Sequence, residues 1–446
     1  MKNISFLGAA GEVTGSSFLL TSQNDEQILI DFGMFQGPRK VSKLNYEPIG
    51  FKPQDIKGVL ITHAHLDHCG RLPLLIFGGY AGKIYMTAPT AALVELILND
   101  SAKIAQENME HEPLFSSHEV QKVIEIIEIV EYNKTFSLGS LNITYKDAGH
   151  ILGSASIVIE DSINNKRIVF SGDLGNSPEE IVRPTEYIDS ANIVVMESTY
   201  GDSSHTDEDI TQILQEEINI VEKTGGVLLI PAFSLERTQE LLHRINHLKK
   251  DHKVQSDTPV FLDSPMGIRA TIIFKHFKDF YNEELSQHAD DPFSFEGFVV
   301  TENAKDSKEI IKAMNPKIII AGSGMMMGGR ILHHAVNYLP KDTTRILFVG
   351  YQAKETIGRK ILEGARNIWI HDTQVKIRAH IKEVSSLSSH ADQPKLMKWI
   401  SFIKNVEKVF LVHGDENQRK VLAEKIKNDT EIKDIILPEN MQEFNL

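Results

Sequence analysis

Three histidines and one aspartate lie within six residues of this chain, at His63, His65, Asp67 and His68. They follow an apolar segment at 58–62 that predicts a strand. On an extended backbone His63 and His65 project from the same side, and the next two polar residues can turn toward a second ion. Imidazole and carboxylate are ligands that Zn²⁺ accepts in open catalytic sites. The spacing predicts two adjacent metal sites, and the alternative is a polar loop whose histidines only form core hydrogen bonds.

Two metal sites need more ligands than these four residues provide. His150, Asp173 and Asp31 each come shortly after a strand-like segment. Taken singly, each is more typical of a polar residue that closes a strand. Their joint occurrence with the histidine cluster favours one shared metal centre.

With these residues in this order, the sequence resembles the metallo-β-lactamase superfamily. Three further positions are similar to its β-CASP branch of nucleic-acid nucleases: Glu197 in MESTYG, His390 in SSHAD and His413 in LVHGD. Segments 231–241 and 322–334 resemble bacterial and archaeal relatives of the nuclease subunit of the cleavage and polyadenylation specificity factor. His413 favours the RNA-directed members, because DNA-directed members typically lack a histidine there.

The resemblance implies an α/β fold, a metallo-β-lactamase αββα sandwich with an inserted α/β β-CASP cap and the active site in the cleft between them. Residue patterns agree, because short strands dominate up to about residue 200 and helices alternate with strands from about residue 206. Within the first part, 91–108 and 119–132 have helical spacing. His390 and His413 come after the alternation, so the predicted domains are 1–203 with 374–446 and, inserted between them, 204–373.

The resemblance also implies two zinc ions per chain. It assigns His63, His65 and His150 to one ion, Asp67, His68 and His413 to the other, and Asp173 to a bridging position. Asp31 is interpreted as a carboxylate that orients a ligand histidine, with a purely structural role at the strand end as the alternative. Two such ions activate water and neutralise phosphoryl oxygens.

Phosphodiester hydrolysis also needs a proton for the leaving oxygen, and no zinc ligand is free to give one. His390 is the candidate acid, because a histidine can deliver a proton near neutral pH and Glu197 would hold its ring in one tautomer. Asp67 is counted as catalytic with these two, besides being a ligand. Alternatively His390 caps the helix that follows, although Ser388 or Ser389 is expected to provide that cap rather than to act as a nucleophile.

Candidate contacts to the substrate lie in the predicted cap. Ser323 and Gly324 belong to a glycine-rich turn that can present backbone N–H groups to phosphate, although such glycines are often simple turn residues. The charged or ionisable candidates for lining the cleft are Arg237, Arg330, His333 and Lys354. Each of these is equally compatible with an ordinary salt-bridged surface position.

Composition is that of a globular enzyme with two domains, since the chain has 446 residues, of which 41% are hydrophobic and 24% charged. No apolar run reaches about 18 residues and no signal-peptide pattern opens the chain, so we expect a cytoplasmic protein. The lone cysteine, Cys69, excludes an internal disulfide and is interpreted as a small buried residue. A net charge of −14 argues against broad coating of nucleic acid and predicts a narrow cationic cleft on an acidic body.

The sequence therefore favours a zinc-dependent ribonuclease that hydrolyses phosphodiester bonds of single-stranded RNA during RNA processing or decay. Two alternatives stay open, a hydrolase for a small ester or thioester and a catalytically silent RNA-binding subunit. About thirty residues follow His413, too few for the appended C-terminal domain of ribonuclease J, which favours endonucleolytic over 5′–3′ exonucleolytic cleavage. No membrane partner is expected, and a homodimer is left open.

Overall fold

The computed structural model describes residues 1–107, 112–177, 179–206, 208–288, 290–353, 355–384 and 387–446. They form two compact units. Unit 1 comprises Met1–Ser204, Asp279–Glu283 and His390–Leu446, and unit 2 comprises His205–Lys278 and Glu284–Ser389. Unit 1 resumes at His390 rather than at 374, because the strand His380–Glu383 pairs with the sheet of unit 2. The domain boundaries themselves stay predictions.

Unit 1 is built on two seven-stranded sheets. The first contains, in spatial order, Gln442–Asn445, Asn3–Gly8, Ser17–Thr21, Gln27–Ile30, Ile56–Leu60, Lys83–Met86 and Ile127–Ile129. The second contains Asp434–Ile436, Lys408–Val412, Ile193–Glu197, Lys166–Phe170, Ala155–Asp161, Leu141–Asp147 and Phe136–Leu138. In each sheet, half of the neighbouring strands run antiparallel and half run parallel.

The inner faces of these two sheets share one hydrophobic core. Phe6 of the first sheet contacts Phe410 of the second with ring centroids 5.0 Å apart, and Phe18 contacts Phe170 at 5.9 Å. Among the parallel strands, Gln27–Ile30 and Ile193–Glu197 are buried on both faces along most of their length, which is typical of sheets whose outer faces are covered by helices. Trp399 is among the helical residues that cover the second sheet. These layers confirm the predicted α/β sandwich.

The described helices of unit 1 range from 4 to 20 residues in length. They are Arg39–Ser42, Leu66–Cys69, Leu72–Phe77, Ala88–Glu107, Ser117–Glu125, Gln393–Phe402 and Glu416–Asp429, with 3₁₀ turns at Lys43–Tyr46 and Pro53–Asp55. The helix predicted over 91–108 agrees with Ala88–Glu107, and residue 108 lies outside the described residues. The prediction of a helix over 119–132 is wrong in its second half. Ile127–Ile129 forms an edge strand on Lys83–Met86, so pairing in the sheet outweighs local helical spacing.

Unit 2 has a six-stranded parallel sheet in the order Phe298–Val300, Val260–Asp263, Lys317–Ala321, Val227–Pro231, Thr344–Phe348 and His380–Glu383. Its helices are Ile210–Thr224, Arg237–Lys250, Pro265–His276, Ala304–Glu309, Arg330–Tyr338 and Ile357–Leu362. A separate hairpin pairs Asn367–Ile370 with Thr373–Lys376. Short helical segments at Lys278–Phe280 and Glu283–Ser286 overlap the sequence boundaries of the units.

The predicted alternation of helix and strand in the cap is therefore correct, although Asp207, where its first helix was expected to begin, lies outside the described residues. Cys69 is buried, as predicted. None of the helices in the described parts of the chain combines the length and the apolar character that crossing a membrane requires.

Candidate metal centre

The predicted ligands all follow the carboxyl ends of strands in unit 1. Asp173 and His413 follow two strands of the second sheet, and Glu197 is the last residue of the strand between them. These three strands are parallel neighbours, so the three side chains meet at one sheet edge. Asp31 and His63 follow two parallel neighbours of the first sheet. Sandwich packing brings the two sets of strand ends together in one cluster.

The first group of this cluster contains His63, His65, His150 and Asp173. His65 Nδ1 lies 3.0 Å from His63 Nε2 and 3.1 Å from His150 Nε2. Asp173 Oδ2 lies 3.4 Å from His63 Nε2 and 3.6 Å from His150 Nε2. Four ligands at about 2.1 Å around a tetrahedral zinc stand about 3.4 Å from one another. The spacing of these donors therefore fits zinc.

The second group contains Asp67, His68 and His413. His413 Nε2 lies 3.3 Å from Asp67 Oδ2, and His68 Nε2 lies 4.0 Å from the same oxygen. Asp173 connects the groups, because its Oδ1 is 3.3 Å from His68 Nε2 while its Oδ2 faces the first group. This is the arrangement expected of a carboxylate that bridges two cations.

Asp173 carries the clearest indication of a cation. Its side chain is buried, yet Oδ1 accepts no hydrogen bond from the residues that the structure describes. A buried carboxylate oxygen without a donor is costly, and coordination of a metal ion compensates for it. Residues with nitrogen and oxygen donors and no thiolate are those of an open catalytic zinc site rather than of a typical structural one.

Burial sets the charge of the histidines in the first group. Loss of solvation lowers the pKa of His65 to about 4 and holds the pKa of His63 well below its usual range. Neutral imidazole is the form that binds metal. Burial opposes the charged form of Asp173, but the surrounding histidines, His413 first, hold the pKa of Asp173 well below its ordinary value.

Asp31 lies where the sequence placed it, behind a ligand histidine. Its Oδ2 is 2.8 Å from His68 Nδ1 and also accepts the hydroxyl of Thr62 at 2.8 Å. Because an ionised carboxylate only accepts, His68 Nδ1 carries the proton and Nε2 is left as the metal-binding atom. Burial nevertheless raises the pKa of Asp31, against the attraction of His68.

Two threonines that the sequence analysis missed act on other histidines of the cluster. Thr62 Oγ1 donates to Asp31, so toward His63 Nδ1, 3.1 Å away, it can only accept. Thr199 Oγ1 donates to the carbonyl of His413 and lies 3.0 Å from His413 Nδ1. Both contacts select the tautomer with Nε2 free. The available signal was position, since Thr62 precedes the histidine cluster and Thr199 follows Glu197 by two residues.

His390 forms a third group of possible metal ligands with Asp173 and His413, and Glu197 lies behind its ring. His390 Nδ1 is 3.3 Å from each carboxylate oxygen of Glu197, and Nε2 is 3.9 Å from Asp173 Oδ2. Glu197 is held by the backbone N–H of Leu174 at 2.6 Å. Burial alone would lower the pKa of His390, but Glu197 and then Asp173 raise it to about 9.

The helix after His390 has a different cap from the one expected. Asp392 is its N-cap, and its side chain accepts the backbone N–H of Lys395 at 3.2 Å. The prediction that Ser388 or Ser389 caps this helix is therefore wrong, since an aspartate directly before the first turn is nearer and accepts more strongly. The alternative that His390 is the cap is excluded by the same contact.

Most of the candidate substrate-binding residues of unit 2 are buried or hydrogen-bonded within that unit. Arg330 donates to Asp263 and to the carbonyls of Thr301 and Glu302 at 2.6–2.7 Å, and Arg237 is only 3% exposed. Ser323 accepts the N–H of Met327, and a side chain at Gly324 would collide with Phe233. His333 is exposed, and Lys354 lies outside the described residues.

Three family models match successive parts of the chain. The metallo-β-lactamase superfamily model matches residues 10–207. The β-CASP domain model matches residues 238–361. The model of the Zn-dependent metallo-hydrolase RNA specificity domain matches residues 374–438.

Relatives cover nearly the full length of the chain. A ribonuclease of Thermus thermophilus is 36% identical over 422 residues, which are 93% of each chain. RNase aCSPSF2 of Saccharolobus solfataricus is 31% identical over 448 residues, or 99% of this chain and 85% of its own. The crystal structure of a protein of unknown function from Enterococcus faecalis V583 superposes with a TM-score of 0.57, 13% identity and full coverage of both chains, a likeness of fold alone.

Proposed function

The chain belongs to the β-CASP family of the metallo-β-lactamase superfamily, and from this membership we propose that it is a zinc-dependent ribonuclease. The observation that carries the proposal is the bridging position of the buried Asp173 between two groups of histidines at metal-ligand spacing. The family binds divalent metal. Zinc, and two ions per chain, are the finer statements that we propose here.

We assign the same ligands to the two ions as the family resemblance implies. His63, His65 and His150 hold one ion, and their donor spacing supports this. The second ion is held by Asp67, His68 and His413, with Asp173 shared by both. Bound in this way, the ions would supply Lewis-acid polarisation of the phosphodiester and acidification of water.

The other residues of the cluster orient the ligands and move a proton. Asp31, Thr62 and Thr199 keep three histidines in the tautomer that directs Nε2 into the cluster. His390 donates a proton from its Nε2 to the leaving oxygen. The carboxylate of Glu197, which contacts Nδ1 of the same ring, stabilises the charged form of His390. Glu197 is buried, whereas the side chain of His390 is partly exposed.

The substrate we propose is single-stranded RNA, cleaved internally in the course of RNA processing or decay, and the action is expected in the cytoplasm. The ribonuclease names of the two relatives support RNA over a small ester or thioester. A catalytically silent role is opposed by the ligand cluster, because an RNA-binding scaffold has no need of two open metal sites.

Parallel incubation of the zinc-loaded protein with end-labelled single-stranded RNA, the matching DNA and a thioester tests the proposal. We expect internal cuts in RNA that leave 5′-phosphate and 3′-hydroxyl ends, because water rather than the ribose 2′-hydroxyl is the nucleophile. Cyclic 2′,3′-phosphate ends would contradict this route. Faster turnover of the thioester would favour the small-molecule alternative, and binding without turnover would favour the silent subunit.

A further inference from the structure

One aromatic side chain of unit 2 is exposed to an unusual degree. The chain has two tryptophans, and Trp399 is 2% exposed in the core of unit 1 whereas Trp369 is 64% exposed. Within the described residues, the indole of Trp369 makes neither a ring contact nor a hydrogen bond. Tryptophan is normally well buried because its ring has a large apolar surface, so an indole exposed to this degree is available to a ligand.

Trp369 lies on the hairpin formed by Asn367–Ile370 and Thr373–Lys376. Side chains alternate between the two faces of these strands. Ile368, Ile370 and Val375 point inward and belong to the hydrophobic core of unit 2. The opposite face therefore carries the exposed residues Asn367, Trp369, Gln374 and Lys376, which we call the outer hairpin face.

The register of the hairpin sets the neighbours of the indole. Gln374 stands directly across from Trp369, and Lys376 stands across from Asn367. Lys376 is thus the diagonal neighbour of Trp369, about 7 Å away by sheet geometry and within reach of a long side chain. The outer hairpin face combines one aromatic ring, one cation and two amides.

Charge in this segment is opposite to that of the whole protein. Residues 366–382 contain four lysines or arginines, namely Arg366, Lys376, Arg378 and Lys382, and one acidic residue, Asp372, in a chain of net charge −14. Among the residues that the structure describes, none of these four cations forms a salt bridge. An aromatic ring beside an unpaired cation, as Trp369 stands beside Lys376, is a combination that binds single-stranded nucleic acid, by stacking on bases and attracting phosphates.

We propose that the outer hairpin face is an RNA-binding site, in which a base stacks on Trp369, Lys376 contacts a phosphate, and the two amides contact base edges. This inference rests on the proposed function and extends it with a contact that lies in unit 2 rather than in the metal centre. A protein partner fits less well, because the apolar residues of the hairpin face inward and leave a single aromatic side chain on a polar surface. Stable protein interfaces bury about 800 Å² per partner around an apolar centre.

Intrinsic fluorescence tests the site directly. In Trp399→Phe protein, Trp369 is the single tryptophan and its emission can be excited selectively, and His390→Ala in the same chain slows cleavage during titration with an oligoadenylate. We expect saturable quenching, because a base stacked on indole quenches its emission. Binding followed by a label on the RNA should weaken about 5- to 100-fold in Trp369→Ala, and Trp369→Phe should restore most of it, since the ring face is kept.

Two further variants separate the contributions. Lys376→Gln should reduce the slope of log affinity against log salt by about one and leave quenching in place. Ile272→Ala removes an equally exposed apolar side chain of unit 2, 61% exposed, and should leave RNA affinity unchanged.

The proposal is overturned if RNA binds without quenching Trp369, if Trp369→Ala binds as tightly as the parent chain, or if Trp369 mediates self-association in sedimentation experiments. Its failure is distinct from that of the proposed function. Quenching by RNA in a protein that cleaves no RNA would leave this site standing and remove the ribonuclease proposal. RNA cleavage with an unquenched Trp369 would do the reverse.

Discussion

Both units place a buried aspartate at or just beyond the carboxyl end of a parallel strand, and the two aspartates have opposite surroundings. Asp263, at the end of Val260–Asp263 in unit 2, accepts hydrogen bonds from Thr301, Ser307, Arg330 and His334 at 2.6–2.7 Å. Asp173 in unit 1 has five histidines at 3.3–3.9 Å, and its Oδ1 accepts no hydrogen bond from the described residues.

The difference separates an ion network that stabilises a fold from one that binds a cation. Asp263 is satisfied by donors already present, so nothing further is needed to keep its charge buried. The groups around Asp173 are too far apart for good hydrogen bonds and at the right separation for shared coordination. Buried charge alone therefore does not identify a functional site, whereas the distances between its partners do.

Asp173→Asn should have the largest effect on activity. We expect a fall of about 10³-fold or more, because the bridging charge supports both ions and metal catalysis supplies several kcal/mol. Elemental analysis should find close to two zinc equivalents in the parent chain and clearly fewer in the variant. Full RNA cleavage by protein shown to be metal-free would contradict the assignment. Asp263→Asn is the matched control and should keep its zinc.

His390→Ala should lower turnover by about 10²- to 10⁴-fold while zinc content and RNA affinity stay at the parent level. The reason is that His390 delivers a proton and is not needed to hold metal. Glu197→Gln should act in the same direction but more weakly, since the ring remains. Single-turnover cleavage and metal analysis of the same samples measure both. Loss of zinc in His390→Ala would make His390 a ligand rather than the acid.

Asp263→Asn should instead destabilise unit 2, by about 3 kcal/mol, because it removes the negative charge and one of the two acceptor oxygens that serve the buried His334 and the partly exposed Arg330. Burial raises the pKa of Asp263, but hydrogen bonds from His334, Ser307 and others lower it to about 2. Because this pKa is lowered, the carboxylate stabilises the fold fully at pH values above its ordinary pKa of 3.8. This stability is lost as the pH falls through about 2.

Denaturant unfolding of the parent chain and the variant at neutral pH and near pH 2 checks this. The stability difference should shrink at the lower pH. Ser307→Ala, which removes one donor, should cost about 1 kcal/mol. Equal stability of Asp263→Asn and the parent chain at neutral pH would contradict the network.

These two centres also differ in how much the sequence predicted. The cluster in unit 1 could be found because its residues are dense and follow strands, and the structure brings all seven predicted ligands together. The αββα sandwich was implied by the family resemblance, whereas the alternation of helix and strand in the cap was predicted from hydrophobic periodicity, which the packed core preserves.

The network of Asp263 could not be predicted, because Thr301, Ser307 and His334 are isolated polar residues that long-range folding brings to one point. For Arg330 the sequence leaves open a substrate contact or a salt-bridged position, and its contacts with Asp263 and two carbonyls agree with the second. The edge strand Ile127–Ile129 was missed for the same reason, since its partner is distant in sequence.

The smallest effect is expected at Thr199, whose hydroxyl donates to the backbone carbonyl of His413 and accepts from its ring nitrogen Nδ1. Thr199→Val keeps the shape of the side chain but removes the acceptor that fixes the tautomer of His413. Affinity for the zinc ion that His413 binds should fall about 10- to 100-fold, as is usual when a group behind a ligand is lost. Competition with a chelator measures this without reference to activity. Thr199→Ser should restore the affinity, because the hydroxyl returns. If valine and serine give the same affinity, Thr199 only packs against His413 and the ring is oriented by other contacts.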